Sequence, residues 1–175
     1  AAVIAVVAIG QGGRAVLMSE LEKIGTNIFA IYVNWRSDKP VTGREFNLND
    51  VAVIKDSIPD ITHLSPSSQT MGDVRGTKDK KYSQITGVSS DYSYIRKINM
   101  KEGRFFTDED DAGKRRVAVL DEDLAVQMFG RSQALGNKIT LENTPFLVVG
   151  IIAKGDSALG FSENPSVYIP IQACR

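Results

Sequence analysis

The sequence predicts an α+β fold, and three observations carry that prediction. Short stretches with apolar residues at helical spacing are bounded by cap residues, β-rich runs pair as hairpins around turn-forming residues, and strand–helix–strand alternation is scarce. Apolar residues make up 42% of the chain and charged residues 24%, the balance of a packed globular protein. The 175 residues suffice for one ordinary core or two small ones.

The elements follow in order. Ala1 to Ile9 is apolar and Ala-rich. It is shorter than the roughly 20 residues that span a bilayer and lacks the basic start of a signal peptide. From Ala15 the pattern turns helical, with Val16, Leu17, Leu21 and Ile24 apolar and Gly25 as a stop. "NIFAIYV" at 27–33 is expected as a buried strand. Asn47 followed by Asp50 forms a capping-box pattern for a second helix, whose stripe is Leu48, Val51, Ile54 and Ile58 and whose end is Pro59.

"DITHLSPSSQTMGDV" and "KYSQITGV" are expected as a hairpin around "RGTKDK". Ser90 is expected to cap a short helix through "DYSYIRKI". A strand "VAVL" at 117–120 leads to a helix from Glu122 to Phe129, capped by Asp121 and stopped by Gly130. Lys138–Leu141 and Phe146–Ile152 form a hairpin across "ENT". A Gly/Ser-rich loop, "KGDSALGFSENP", precedes a last strand at Val167–Ile169.

Composition excludes several functions. Lys+Arg and Asp+Glu number 21 each, so no net field draws nucleic acid, and Trp35, Tyr82, Tyr92 and Tyr94 are too scattered for a base-stacking platform. Cys174 and His63 are each the single residue of their type, which rules out an internal disulfide and a Cys/His zinc site. His63 with Ser65 lacks a nucleophile elbow and is expected to be a strand histidine with an ordinary hydrogen bond. The acidic run Asp108, Glu109, Asp110 and Asp111 lacks the EF-hand pattern; Thr107 with Asp110 fits a capped turn, with the acids on a solvated face. Lys78, Lys80 and Lys81 mark a hairpin tip.

The strongest case for an enzyme is "GQGGRA" at Gly10–Ala15, which fits G-x-G-x-x-A, with Asp38 near where a ribose-binding acid would stand. Its Ala-rich approach and the hairpins downstream oppose a dinucleotide fold. No Gly-Lys-Ser/Thr follows, so a P-loop is excluded.

Six ordered stretches resemble the extracytoplasmic core domain of MacB-like ABC transporter permeases. They are the "GQG" element with "IGTNIFAIYV", "FNLNDVAVIKDSIPDITHLSP", "ITGVSSDYSYIRKINMKEGRFFTDED", "VAVLDEDLAVQMFG", "ALGNKITLENTPFLVVGII" and "VYIPI". Ala134 departs from the pattern, since the family commonly has Pro before this Leu-Gly.

The resemblance implies a porter-like α/β subdomain, residues 1–89 and 146–175, with a smaller, mostly β subdomain inserted at about 90–145. Residues 1–10 would be the stub of the first transmembrane helix, Gly10–Gly13 the exit from the membrane, and 1–24 mainly helical. The domain would lie on the extracytoplasmic or periplasmic side of the cell membrane, with no catalytic residue, cofactor or metal.

It would transmit ATP-driven motion of the membrane helices to cargo. The implied partners are a membrane-fusion (adaptor) protein, a cytoplasmic ATP-binding subunit or domain, a second permease subunit (homodimer or heterodimer) and an outer-membrane channel. The candidate contact loop comprises Gly155, Asp156, Ser157, Leu159 and Phe161. Two competing readings are a nucleotide-binding enzyme built on GQGGRA and the sensory ectodomain of a peptide-sensing permease.

Overall fold

The computed structural model describes residues 28, 30, 31, 47–130, 133–154 and 166–174. The helix expected over 1–24, the Gly10–Gly13 junction and the loop at 155–165 lie outside these residues. Of the strand expected at 27–33, residues 28, 30 and 31 are described. They carry no strand pairing and are exposed, Ile31 by 55%, so β-branched composition there does not bring burial.

The described elements all lie within the unit Ile31–Arg175. In chain order they are α1 (Leu48–Ser57), β1 (Ser67–Arg75), β2 (Lys80–Val88), α2 (Tyr92–Ile95) and β3 (Met100–Gly103). Then follow α3 (Asp108–Ala112), β4 (Val117–Asp121), α4 (Glu122–Phe129), β5 (Lys138–Leu141), β6 (Thr144–Ile152), β7 (Ser166–Pro170) and a 3-10 turn (Ile171–Cys174). The architecture is α+β, as the residue patterns predict.

The strands form one sheet in the order β3-β6-β4-β7-β2-β1-β5, and β5 also pairs with β6. The ring β6-β4-β7-β2-β1-β5 is therefore closed, with β3 continuing alongside the far end of β6. Closure removes free edges from the ring's ends. The pairing is mixed: β2 runs parallel to β7 and β4 parallel to β6, while β1–β2, β5–β6 and β4–β7 are antiparallel. The stretch 90–145 contributes β3, β4 and β5, each hydrogen-bonded to strands from outside it, and its expected far boundary falls within β6.

Alternation along β4 sorts the core. Ala118 and Leu120 face a large cluster with Ile85, Ile139, Val148, Val167 and α4's Leu124 and Met128. Val117 and Val119 face a second cluster with Val88, Phe106 and Ile152. β4 is thus buried on both faces, which explains its unbroken apolar run.

Local signals set the remaining elements. Asn47 and Asp50 close a capping box on α1, yet no residue of α1 is buried, so its stripe finds no core among the described residues. β1 begins at Ser67 because Pro66 offers no N–H to a ladder. Ser90 does not cap α2: its hydroxyl is bonded to Asp108, and Asp91 is the N-cap. The β5–β6 turn is the two-residue Glu142–Asn143, both at positive φ (46° and 70°), the twist that suits a tight hairpin. Ala134 sits 4% exposed in the large cluster, and its carbonyl accepts from the Asn137 N–H, so the turn forms without the expected proline.

Candidate contact site at the β4–α4 junction

β6 and β7 flank β4 on opposite sides, and both meet the sheet beside its C-terminal end: Asp121 pairs with Ile152, and Leu120 with Val167. The segment between Lys154 and Ser166 therefore joins the two strands that border β4. Its two stems are tied to consecutive acids at the junction. Asp121 Oδ2 accepts from the Ser166 N–H at 2.7 Å and Glu122 Oε2 from the Lys154 N–H at 3.1 Å. Asp123 Oδ1 accepts from Lys154 Nζ at 2.9 Å.

The side chain of Asp121 is thus spent on the β7 stem, and its expected bond to α4's first turn is not made. Chain geometry alone places α4's start, with Asp121 extended at φ −63° and ψ 146°. Gly130 ends the helix at φ 65°, as its position in the sequence predicts.

The electrostatics differ along this trio. Burial pushes the Asp121 carboxyl above its ordinary value, opposed by the Ser166 N–H and assisted by Asp123. Glu122 is partly buried and held below its ordinary value by its bond to Lys101 and then by the Lys154 N–H. Lys154 is raised by its bond to Asp123. The Lys154–Asp123 pair is well exposed, so its worth as an ion pair is small. A groove of about 250 Å³ opens beside the trio, with Lys101 and Glu122 on its rim and Ala125, Val126, Ala134 and Ile151 as apolar lining.

The candidate loop residues Gly155, Asp156, Ser157, Leu159 and Phe161 lie outside the described residues, as do GQGGRA and Asp38. The junction holds the described residues that border the 155–165 segment, Lys154 and Ser166. His63 is outside any strand; its ring lies 3.3 Å from Asp91 Oδ1 and stacks on Tyr94 at 5.0 Å between centroids. Among the described residues no group of three or more His, Cys, Asp or Glu is arranged to hold a metal.

The acidic run corrects one expectation. Asp110 does not lie on a solvated face: it is 1% exposed, and its carboxylate accepts from Arg104 at 2.7 Å, from Arg115 at 3.2 Å and from the Thr107 N–H at 3.0 Å. The Thr107 hydroxyl accepts from the Asp110 N–H in return, completing the capping box on α3. Asp111 is also engaged, accepting from the Gln172 N–H at 3.0 Å. The near-identical exposure expected of adjacent acids fails because only the N3 position of the turn points back beneath the chain. Arg104 and Arg115, six residues before and five after, were the signal.

Comparison with known proteins identifies the class. The chain belongs to the MacB-like periplasmic core domain family, which it matches over residues 1–175. It is thus the periplasmic core of a transporter permease, on the extracytoplasmic side. It is 26% identical to the macrolide export ATP-binding/permease protein MacB of Bdellovibrio bacteriovorus, over 98% of this chain and 27% of that protein. It is 30% identical to the pyoverdine export ATP-binding/permease protein PvdT of Pseudomonas entomophila, over 99% of this chain and 26% of that protein. The chain therefore spans about a quarter of the length of these relatives.

Two solved structures share the fold. The periplasmic region of MacB from Actinobacillus actinomycetemcomitans superposes with a TM-score of 0.59 at 19% identity, covering 71% of this chain and 55% of that one. The extracellular domain of the noncanonic ABC-type transporter YknZ from Gram-positive bacteria gives 0.63 at 21% identity, covering 72% and 63%. Among the described residues no helix is long and apolar enough to cross a membrane.

Proposed function

We propose that this domain is the extracytoplasmic working part of an export permease, passing ATP-driven movement of membrane helices to cargo and to a membrane-fusion (adaptor) protein. Family membership along the whole chain supports this reading. The relatives' names join ATP binding to a permease, and this chain covers 27% of such a protein. ATP hydrolysis accordingly falls to a separate cytoplasmic domain or subunit, and this domain acts without catalysis. A second permease subunit and, in a double-membrane cell, an outer-membrane channel complete the assembly.

The observation that carries the mechanical part is the double anchoring of the 155–165 segment. A contact loop transmits force only if its base does not yield, and here both stems are bonded to three consecutive acids on a doubly buried strand and the helix that follows it. Gly155, Asp156, Ser157, Leu159 and Phe161 are the proposed contact residues for adaptor or cargo. Deleting 155–163 from the intact permease is expected to abolish transport or adaptor capture while the thermal unfolding of the domain stays cooperative. Full transport and full capture after the deletion would overturn the loop's role. Calorimetric titration with NAD(P) is expected to give no binding heat; a saturable isotherm would restore the nucleotide-binding reading of GQGGRA.

A further inference from the structure

The Asp110 carboxylate balances a single positive charge, yet the guanidinium groups of both Arg104 and Arg115 converge on it. Arg104 Nη1 reaches Oδ2 at 2.7 Å and Arg115 Nη1 reaches Oδ1 at 3.2 Å. The acid is 1% exposed, whereas the arginine side chains are 50% and 63% exposed. Only Nη1 of each is engaged, that of Arg104 donating also to the Phe105 carbonyl at 3.0 Å. The Nε and Nη2 donors form the edge with which arginine grips an oxyanion as a fork. On both residues that edge has no partner among the described residues.

The backbone holds both forks in place. The turn at Lys114, with φ 49°, brings Arg115 back over α3, where its N–H donates to the Asp110 carbonyl at 2.8 Å. The Arg115 stem lies across Gly113: a Cβ there would stand 3.6 Å from its Cγ and 3.8 Å from its Nε. Arg104 is tied to β6 by its N–H, which donates to the Val149 carbonyl at 3.0 Å. Restraint of this kind lowers the rotamer entropy lost when a ligand is gripped.

The acids of α3 are largely committed elsewhere. Asp111 accepts from the Gln172 N–H and Asp108 from the Ser90 hydroxyl. The Glu109 carboxyl is lowered first by its bond to the Thr107 side chain and least by Arg115. Lys114 and Arg116 are exposed on either side of Arg115. Around the forks, Arg104, Lys114, Arg115 and Arg116 therefore outnumber Asp110 and Glu109.

We propose that the outer edges of Arg104 and Arg115 form a binding site for a terminal phosphate group, a monoester or the free anion, with Lys114 and Arg116 drawing it in. A carboxylate is filled by one fork, whereas a terminal phosphate carries close to two charges and three acceptor oxygens, enough for both guanidinium groups. A lipid headgroup ending in phosphate and a soluble phosphate present the same group, and a domain on the extracytoplasmic side of a membrane meets both. The site lies at the N-terminal end of β4, away from the Asp121–Asp123 trio.

The test is a phosphate titration of the 175-residue chain at constant ionic strength, read from the arginine Nε–H resonances. Phosphate is expected to shift Arg104 and Arg115 saturably with millimolar affinity, and acetate to bind roughly tenfold more weakly. Arg115→Gln leaves Asp110 bonded to Arg104 and the Thr107 N–H, so the fold persists, and is expected to weaken phosphate roughly tenfold. Arg104→Lys keeps the charge but loses the fork, and is expected to do the same. Lys80→Gln, at the other end of the sheet, is expected to change nothing. Vesicles assign the source. Binding to phosphatidic acid that exceeds binding to phosphatidylglycerol and is lost in Arg115→Gln marks a lipid headgroup; equal binding to both, with the phosphate titration intact, marks a soluble phosphate. A flat phosphate titration overturns the proposal. So does acetate binding as tightly as phosphate, an Arg115→Gln chain that binds as well as the parent, or a Lys80→Gln chain that loses as much as Arg115→Gln.

Discussion

Asp110 is the residue on which most local structure converges. Arg104 arrives from the end of β3, Arg115 from beyond α3, and the Thr107 N–H from the cap, all on one carboxylate that is 1% exposed. Both guanidinium side chains remain half-exposed or more, so they can rehydrate if the acid is lost. Asp110→Ala is therefore expected to cost about 2 kcal/mol in urea unfolding, below the full penalty of breaking a buried pair.

The pH dependence has a definite sign. Burial alone would raise the Asp110 carboxyl, but the Arg104 bond, the Thr107 N–H and Arg115 outweigh it and hold the group below its ordinary value. Its stabilisation is present above the unfolded value of about 4 and is lost as pH falls through the depressed folded one. Asp121 behaves oppositely. Burial raises it, so its charge costs stability at neutral pH and the cost is relieved as pH falls through the raised folded value. In unfolding curves measured from pH 7 to pH 2, Asp110→Asn is expected to flatten the loss below about pH 4. Asp121→Asn is expected to remove a gain that begins above about pH 4. The capping box was legible from Thr107 and Asp110, and the two nearby arginines hinted at its pairing; that Arg115 folds back onto Asp110 was not legible, because it depends on the turn through Lys114 at φ 49°.

Among elements, the contact between the β1–β2 turn and the end of α4 has little tolerance. The Lys78 N–H donates to the Met128 carbonyl at 2.9 Å, satisfying one of the helix's last acceptors. A Cβ added at Gly76 would lie 2.2 Å from that same carbonyl oxygen. Gly130 holds φ 65° and ψ −129°, a conformation for which only glycine is suited. Gly130→Ala is expected to destabilise by about 1–3 kcal/mol. Gly76→Ala is expected to lower the denaturation midpoint and expose the Lys78 amide to faster hydrogen exchange. Both the hairpin and the helix stop could be read locally, whereas their docking joins residues distant in sequence. α1 makes the complementary point: its cap and stripe are fully legible, yet periodicity says nothing of whether a partner surface exists, and no residue of α1 is buried.

At the scale of the molecule, β4 and β7 are the centre of stability. Leu120 is fully buried beside α4, and Leu120→Ala is expected to cost about 3–4 kcal/mol. Amide exchange is expected to be slowest in β4 and β7 and fastest in β3, the short strand with an irregular register; equal protection across these strands would contradict the ring described above. The α+β class and both hairpins were visible in the residues, because turns and alternation act over short range. The parallel pairs β2–β7 and β4–β6, and the closure through β5, were not, because each joins segments whose spacing carries no local signature.

The position of β7 has a kinetic consequence. It is the last strand among the described residues, yet it lies between β2 and β4, pairing Gln84 with Ser166, about half the chain's length apart. Until residues 166–170 are available, the β1–β2 hairpin and the β4–β6 pair are joined through β5 alone and the ring stays open between β2 and β4, and Val88, Val119 and Leu120 lack part of their cover. Closure of the ring must then wait for β7, in one late step that pairs it with both β2 and β4. Such non-local topologies fold in milliseconds to seconds, far slower than helical bundles. An emerging chain therefore carries uncovered β surface for the whole interval, and a holdase that shields the β2 and β4 edges would speed productive closure more than one acting on α4.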